Sequence, residues 1–382
     1  MSTPRRLYVS IALLCFGIAA CGRMSSQEKS TTTTITAEPI TMSLAFAGDI
    51  LIHSQVWKAA AANTGGTGFD FTPMFARIKP LIASVDLAIC HLEVPLVAPG
   101  EKPTTNPLYS APTEIAYAIK EVGFDRCSTA SNHTFDNGAK GIEATLHEFD
   151  VLGLGHAGMA RTPAEIEPKI FIVKGIKVTH LAYTYGFNGI SAPNGESWRS
   201  ARIDPVRILA DAQKAREMGA QVVIVSMHWG RETQTELSEF QLANADAITK
   251  SGLVNLVIGH HAHVVQKIDK VNDVWTIFGL SNLISYLPTT KAFSANTQDG
   301  IIATTNITLE SNGSVSVQKP DIHPIWVDKK HGVVIRPVMS DLADPTVSDA
   351  VKSDLKISLE RTRSVVGGFI AKKATKVDSN PG

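Results

Sequence analysis

The strongest constraint in this chain is a set of apolar runs with no polar alternation, each ending at a histidine or a carboxylate. Residues 221–227 and 253–258 are the clearest, running straight into His228 and into Gly259-His260-His261. A strand that is apolar throughout has to be buried on both faces. Helical periods separate these runs: 205–218 places Ile208, Leu209, Ala212 and Ala215 on one stripe. Strands alternating with helices define an α/β fold. In such sheets ligands bind just beyond the carboxyl ends of the strands, which is where the polar residues fall.

The same reading predicts further strands at 42–47, 85–90, 124–129, 274–278 and 301–309. Gly175-Ile176 is a hairpin turn between 170–173 and 177–183. Helices are expected at 73–83, with Phe75, Ile78 and Ile82 on one face, and at 113–122, 141–151 and 239–251, the last ended by Gly252. The domain is placed at 42–309. Beyond Leu309 the pattern weakens, so 310–382 is expected as a C-terminal extension, with a mobile tail at 365–382.

The first stretch reads as an export signal. Arg5 and Arg6 form a basic start, and 11–20 is apolar but too short to span a bilayer. Ile18-Ala19-Ala20-Cys21 has the shape of a bacterial lipobox, so 1–20 is expected to be removed and Cys21 lipidated. Several acyl chains anchor stably. Residues 21–41 are Ser/Thr-rich, with four threonines at 31–34, and read as a flexible tether. Gly22 stands where an Asp would favour inner-membrane retention. The expected location is the outer membrane facing the periplasm in a Gram-negative host, or the outer face of the plasma membrane in a Gram-positive one. Cys90 and Cys127 are expected as two buried thiols, since spacing alone cannot bring their Cα atoms within bridging distance.

Lys+Arg and Asp+Glu are 36 each, so net charge is zero and nothing indicates a nucleic-acid groove. The chemistry sits in five short segments: Gly48-Asp49 through His53, His91-Leu92-Glu93, Ser131-Asn132-His133 through Asp136, His228 through Arg231-Glu232, and Gly259 through His263. Imidazoles and carboxylates at successive strand ends suit a metal centre with open positions. Asp49 can project from the turn at Gly48, and His53 can meet the same ion if a helical turn follows; alone, the pair also reads as a helix cap and a surface imidazole. His91 and Glu93 share a strand face. Glu93 can bridge two cations. The Asn132 amide oxygen is a hard ligand, and His133 can protonate a leaving group with Asp136 orienting it. Alternatively Asp136 caps the Asn137-Gly138 turn. Arg231 and Glu232 are substrate contacts or a surface ion pair. His261 and His263 have the His-x-His spacing that puts two imidazoles on one side of an extended chain. His260 is an alternative to His261 as the ligand.

Taken in order, these segments, with Gly279-Leu280-Ser281-Asn282-Leu283, resemble the CapA/PgsA family of poly-γ-glutamate capsule synthesis proteins. The likeness runs from about Met42 to about Leu309. That family is similar to the calcineurin-like metallophosphatases. The resemblance implies a β-sandwich flanked by helices, in four α/β/β/α layers, and two divalent metals such as Mn, Fe or Zn. It implies Asp49, His53 and His263 at one metal, Asn132, His228 and His261 at the other, Glu93 bridging and His133 as catalytic acid. His91, Arg231, Glu232, His260 and Asn282 would support ligands or contact substrate. Three features depart from the related patterns: the Asp-to-His spacing, Glu in place of a bridging Asp, and His91 where the capsule family commonly has Asn. The implied function is hydrolysis of a phosphoester or a γ-glutamyl amide. The alternative is a non-catalytic accessory role in polymer export or anchoring. The implied partners are the membrane, polymer synthase or export membrane proteins, and an anionic polymer.

Overall fold

The computed structural model describes residues 38–290 and 294–371. The expected signal, lipid-bearing Cys21, most of the tether and residues 372–382 lie outside the described residues. Four strands come first: β1 (Ile40–Ile50), β2 (Leu87–Leu92), β3 (Arg126–Ser128) and β4 (Gly155–Ala157). Then come β5 (Ile170–Val173), β6 (Ile176–Thr184), β7 (Val222–Trp229), β8 (Leu256–His261), β9 (Ile268–Val271) and β10 (Val274–Ile277). The last are β11 (Asn282–Ile284), β12 (Asp299–Leu309), β13 (Val315–Val317), β14 (Asp321–Asp328) and β15 (Val334–Pro337). The helices are α1 (Ser54–Asn63), α2 (Thr72–Phe75), α3 (Lys79–Ile82), α4 (Glu114–Val122), α5 (Gly138–Leu152), α6 (Pro205–Glu217), α7 (Glu239–Thr249), α8 (Val338–Ala343) and α9 (Asp349–Val366).

The larger sheet runs β15-β14-β12-β1-β2-β3-β4, with β11 beside β1 and β13 beside β12. The smaller runs β5-β6-β7-β8-β10-β9. Side chains alternate along a strand, and that alternation builds the layers. Met42, Leu44 and Phe46 of β1 and Leu87 and Ile89 of β2 share one core with Val222 and Ile224 of β7 and Leu256 and Ile258 of β8. That core lies between the two sheets. The other face of the larger sheet, with Ala45, Ala88 and Leu92, packs against Val56, Met74, Ile115, Ile119 and Phe149 of the helices. The other face of the smaller sheet, with Val223, Val225 and Val257, packs against Ile208, Ala212, Ala245 and Ile248. The result is the expected helix-sheet-sheet-helix sandwich. All of β7 and β8 is buried, as their unalternating sequences require.

β1 changes partner at Gly48. It pairs antiparallel with β12 through Ala47, then parallel with β11 at Asp49 and Ile50. A Cβ on Gly48 would sit 1.9 Å from the Ser281 carbonyl oxygen, and one on Gly259 equally close to that of Phe278. Only glycine allows such backbone approach. Gly259→Ala is expected to cost about 3 kcal/mol or more. Calorimetry should show a melting temperature lower by roughly 5 °C or more. An unchanged melt would contradict the packing of these strands.

Four expectations are corrected. Residues 73–83 are not one helix but α2 and α3 joined by a 3-10 turn at Ala76–Ile78. Pro80 lacks an N–H and its ring opposes the carbonyl four residues earlier. Phe75, Ile78 and Ile82 are nonetheless buried. The stretch after Leu309 is part of the body: β14 and β15 widen the larger sheet, and the Arg361 guanidinium of α9 lies 2.6 Å from Asp299. The expected mobile tail is placed as far as Ala371, whose N–H bonds the Ile322 carbonyl. Finally, Cys90 and Cys127 form a disulfide, with Cα atoms 4.4 Å apart. They are opposed in the β2–β3 ladder, a neighbourhood that their separation of 37 residues conceals.

Candidate metal centre

The apolar surfaces between the sheets turn polar at one level. On β2, Leu87 and Ile89 are followed by His91; on β8, Leu256 and Ile258 by His260; on β7, Val222 and Ile224 by Ser226 and His228. β1 reaches that level at Asp49 after a register shift following Phe46. Asp49 stands opposite His91 in its ladder, and His228 opposite His260. Four neighbouring strands thus each present an ionisable group at the carboxyl end, between the sheets.

Residues at and just beyond these strand ends complete the cluster. Glu93, Asn132, His261, His263 and Asn282 are all buried. His261 and His263 have φ of +87° and +56°. That left-handed backbone costs a non-glycine residue about 1–3 kcal/mol and is typical of functional sites. It brings His263 Nδ1 to 3.2 Å from Asp49 Oδ2 and 3.0 Å from Asn282 Oδ1. His263 Nε2 lies 3.6 Å from Glu93 Oε1, and His228 Nε2 lies 3.9 Å from the same oxygen. Asn132 Oδ1 is 2.8 Å from His228 Nε2.

The donor set fits divalent cations. Both oxygens of Glu93 and Nδ1 of His261 are buried without a hydrogen-bond partner, and Asp49 Oδ1 faces only His260 Nδ1, at 3.3 Å. Orphaned buried carboxylates are costly unless a cation compensates them. Ligand atoms of Asp49, Glu93 and His263 lie within 4.8 Å of one another, as do those of Glu93, His228 and His261. Glu93 belongs to both groups, so it occupies the shared position.

One expected ligand is not brought in. Among the described residues, His53 belongs to no such group. Its Nδ1 is 3.2 Å from both the Leu51 carbonyl and the Tyr286 N–H, which ties the ring to its own loop and to the end of β11. His91 and His260 are stacked at 4.2 Å and form a further group with Asp49. Glu232 is exposed and groups with His261 and His263. Arg231 is exposed and makes no ion pair with Glu232 or any other described residue. His133 is held by Asp136, Nδ1 to Oδ2 2.7 Å, and Asp136 also accepts the Tyr109 N–H at 2.8 Å. Asp136 thus contacts His133 and braces the Tyr109 loop, instead of capping the Asn137-Gly138 turn.

Burial dominates the electrostatics. It drives the pKa of His261 down to about 3 and of His53 to about 4, and those of His91, His180 and His228 well below the usual value. Burial pushes Glu93 well above the usual carboxylate range. It opposes ionisation of Asp49 too, but hydrogen bonds from His260 and His263 outweigh it and hold Asp49 low. His263 reaches about 9, because Glu93 and Asp49 overcome its burial. For these imidazoles, and for His156 and His323, which burial also lowers, the unfolded chain binds protons below pH 6.5 while the folded chain resists until lower pH. Their contribution is complete above about 6.5 and is lost as pH falls, by about 1.4 kcal/mol per pH unit and group. Glu93 and Asp299, whose carboxyls burial raises, oppose this. The metal-free protein is therefore expected to lose melting temperature steadily from about pH 6.5 to about pH 4. Calorimetry in chelator would contradict this if the melt were flat over that range.

Three residues here carry no motif. Tyr109 sits edge-on between His53 and His133, with ring centroids 5.6 and 4.8 Å away. Tyr185 packs on His261 at 4.6 Å. Lys329, whose pKa burial lowers to about 8, lies 5.5 Å from the Tyr286 ring. Tyr185 was findable, since it follows β6 directly, as Arg231 and Gly230 follow β7. Lys329 comes from β14's end, beyond the expected domain.

A double sheet flanked by helices, with a buried histidine–carboxylate cluster at the strand ends, defines the class. The chain belongs to the bacterial capsule synthesis protein family, whose profile, "Bacterial capsule synthesis protein PGA_cap", matches residues 43–287. It is 28% identical over 255 residues to the capsule biosynthesis protein CapA of Bacillus anthracis, covering 65% of this chain but only 60% of that protein. It is 25% identical over 314 residues to the PGA biosynthesis protein CapA of Bacillus subtilis strain 168, covering 78% of each. Among solved structures, the NAD nucleotidase of Haemophilus influenzae aligns with TM-score 0.46 at 12% identity, covering 86% of this chain and 61% of that one. The calcineurin-like phosphoesterase YfkN of Bacillus subtilis aligns with TM-score 0.45 at 14% identity, covering 85% and 99%.

Proposed function

We propose that this chain is a metal-dependent hydrolase of capsule polymer metabolism, exported and held at a membrane through a lipid on Cys21. The observation that carries the reading is Glu93: a fully buried carboxylate, with neither oxygen hydrogen-bonded, between His228/His261 and Asp49/His263. Two divalent cations bound there would supply Lewis acidity and acidify a water molecule near neutral pH. Asp49 and His263 would hold one, Asn132, His228 and His261 the other, and Glu93 both. Asn282 fixes the His263 ring through Nδ1. Asp136 engages Nδ1 of His133, which leaves Nε2 as the nitrogen that delivers a proton to the leaving group. Arg231 and Glu232 are exposed beside the cluster and suit substrate contact. The substrate bond is a phosphoester or a γ-glutamyl amide, and synthase or export proteins in the membrane are the proposed partners.

The relatives' names favour a second reading, in which the centre binds an anionic polymer without cleaving it. The test is turnover by the metal-loaded chain on phosphoester substrates and on γ-glutamyl polymer, with His133→Ala alongside. Cleavage of one class that falls in the variant supports the hydrolase. Tight polymer binding with no cleavage of either class would overturn it in favour of the second reading.

A further inference from the structure

We propose that His91 is a positioning residue that fixes the tautomer of His228, so that the His228 Nε2 lone pair faces the centre. The proposal rests on the reading that His228 holds a cation through Nε2. What points to it is an unbroken line of buried contacts crossing from one sheet to the other. Ser128 Oγ lies 3.4 Å from the Cys90 carbonyl oxygen. His91 Nδ1 lies 2.8 Å from Ser128 Oγ. His91 Nε2 lies 3.0 Å from His228 Nδ1. His228 Nε2 then meets Asn132 Oδ1 at 2.8 Å.

The direction of the line is set by the end that faces the centre. If His228 Nε2 meets a cation as a lone pair, the His228 proton stands on Nδ1 and His91 Nε2 accepts it. His91 Nδ1–H then donates to Ser128 Oγ, whose own proton has the Cys90 carbonyl as acceptor. A neutral His91 with its proton on Nδ1 has a bare Nε2, which accepts from His228 Nδ1–H. His228 Nε2 is left as a lone pair. At its other end, Asn132 Nδ2 donates to Asn188 Oδ1 at 3.3 Å, which turns the amide oxygen toward His228. In that tautomer two acceptors face each other at 2.8 Å. That approach is unfavourable alone and favourable when both bind one cation.

The placement is built into the strands. His91 is opposed to Ser128 in the β2–β3 ladder and follows Leu87 and Ile89 on the face toward the smaller sheet. His228 follows Val222 and Ile224 on the facing surface of β7. This line also argues against His91 as a ligand of a third cation with Asp49 and His260, although the three approach within 4.8 Å. Both of its ring nitrogens are already engaged.

The test uses the full chain as wild type, His91→Leu and His91→Gln. Nitrogen-15 spectra of labelled histidines report the His228 tautomer in the metal-free protein, and chelator competition reports metal affinity. The expected results are an Nδ1–H tautomer of His228 in the wild type and its loss in His91→Leu. One of the bound metals should weaken by about 10–100-fold in His91→Leu. His91→Gln, whose amide oxygen can accept the same proton, should recover most of that affinity, which a packing defect would not. An Nε2–H tautomer in the wild type overturns the proposal, as does wild-type affinity in a folded His91→Leu. Loss of a whole extra metal from His91→Leu overturns it too, making His91 a ligand. A wild type that binds no metal yet keeps the Nδ1–H tautomer supports the line of contacts and overturns only the metal reading.

Discussion

Glu93→Gln is expected to change stability in opposite directions with and without metal. The carboxylate is fully buried and makes no hydrogen bond, with His263 Nε2 3.6 Å from Oε1, and burial already pushes its proton affinity well up. Without metal, an amide removes that penalty, so the variant should be more stable than wild type by about 1–3 kcal/mol. With metal, the shared anionic ligand is missing. At least one cation should be lost, and hydrolysis should fall by about a thousandfold, equivalent to about 4 kcal/mol of barrier. Differential scanning calorimetry with chelator and with added divalent metal checks the sign reversal. A variant less stable than wild type in chelator would mean that the protein alone compensates Glu93, and the cation argument would fail.

His133→Ala is expected to separate chemistry from metal binding. His133 contacts Asp136 and Tyr109, and among the described residues it belongs to no ligand group. Its loss should leave metal content unchanged and lower kcat by about 100- to 10,000-fold. The limb of the pH–rate profile that reports the acid should disappear. Asp136→Asn should act more weakly on kcat, because it changes the orientation of the ring and leaves the ring in place. It should also loosen the loop that Asp136 braces at the Tyr109 N–H. Metal loss in His133→Ala, or unchanged kcat, would contradict the role.

The strand ends were legible because burial on both faces forces unalternating apolar sequence, and a histidine directly after such a run has little else to do. His228 and the Gly259–His263 turn were found that way. Asp49 was legible from Gly48, and the close approach of Gly48 to Ser281 explains that glycine. His53 stands outside the ligand groups because its Nδ1 faces its own loop backbone, a contact no local spacing signals. The disulfide was missed because the β2–β3 ladder, a long-range pairing, creates the contact. β14 was missed because Pro324 and His323 interrupt its apolar pattern, and only the sheet beside it makes the segment a strand. The engagement of His91 with Ser128 and His228 depends on three strands in two sheets, so no local spacing signals it.

The most direct test of the central claim is elemental analysis of the purified chain, as wild type and as the His261→Ala/His263→Ala double variant. The account predicts about two divalent cations per wild-type chain. It predicts loss of both in the variant, with the fold retained by circular dichroism. A well-folded wild type that takes up no divalent metal would contradict it.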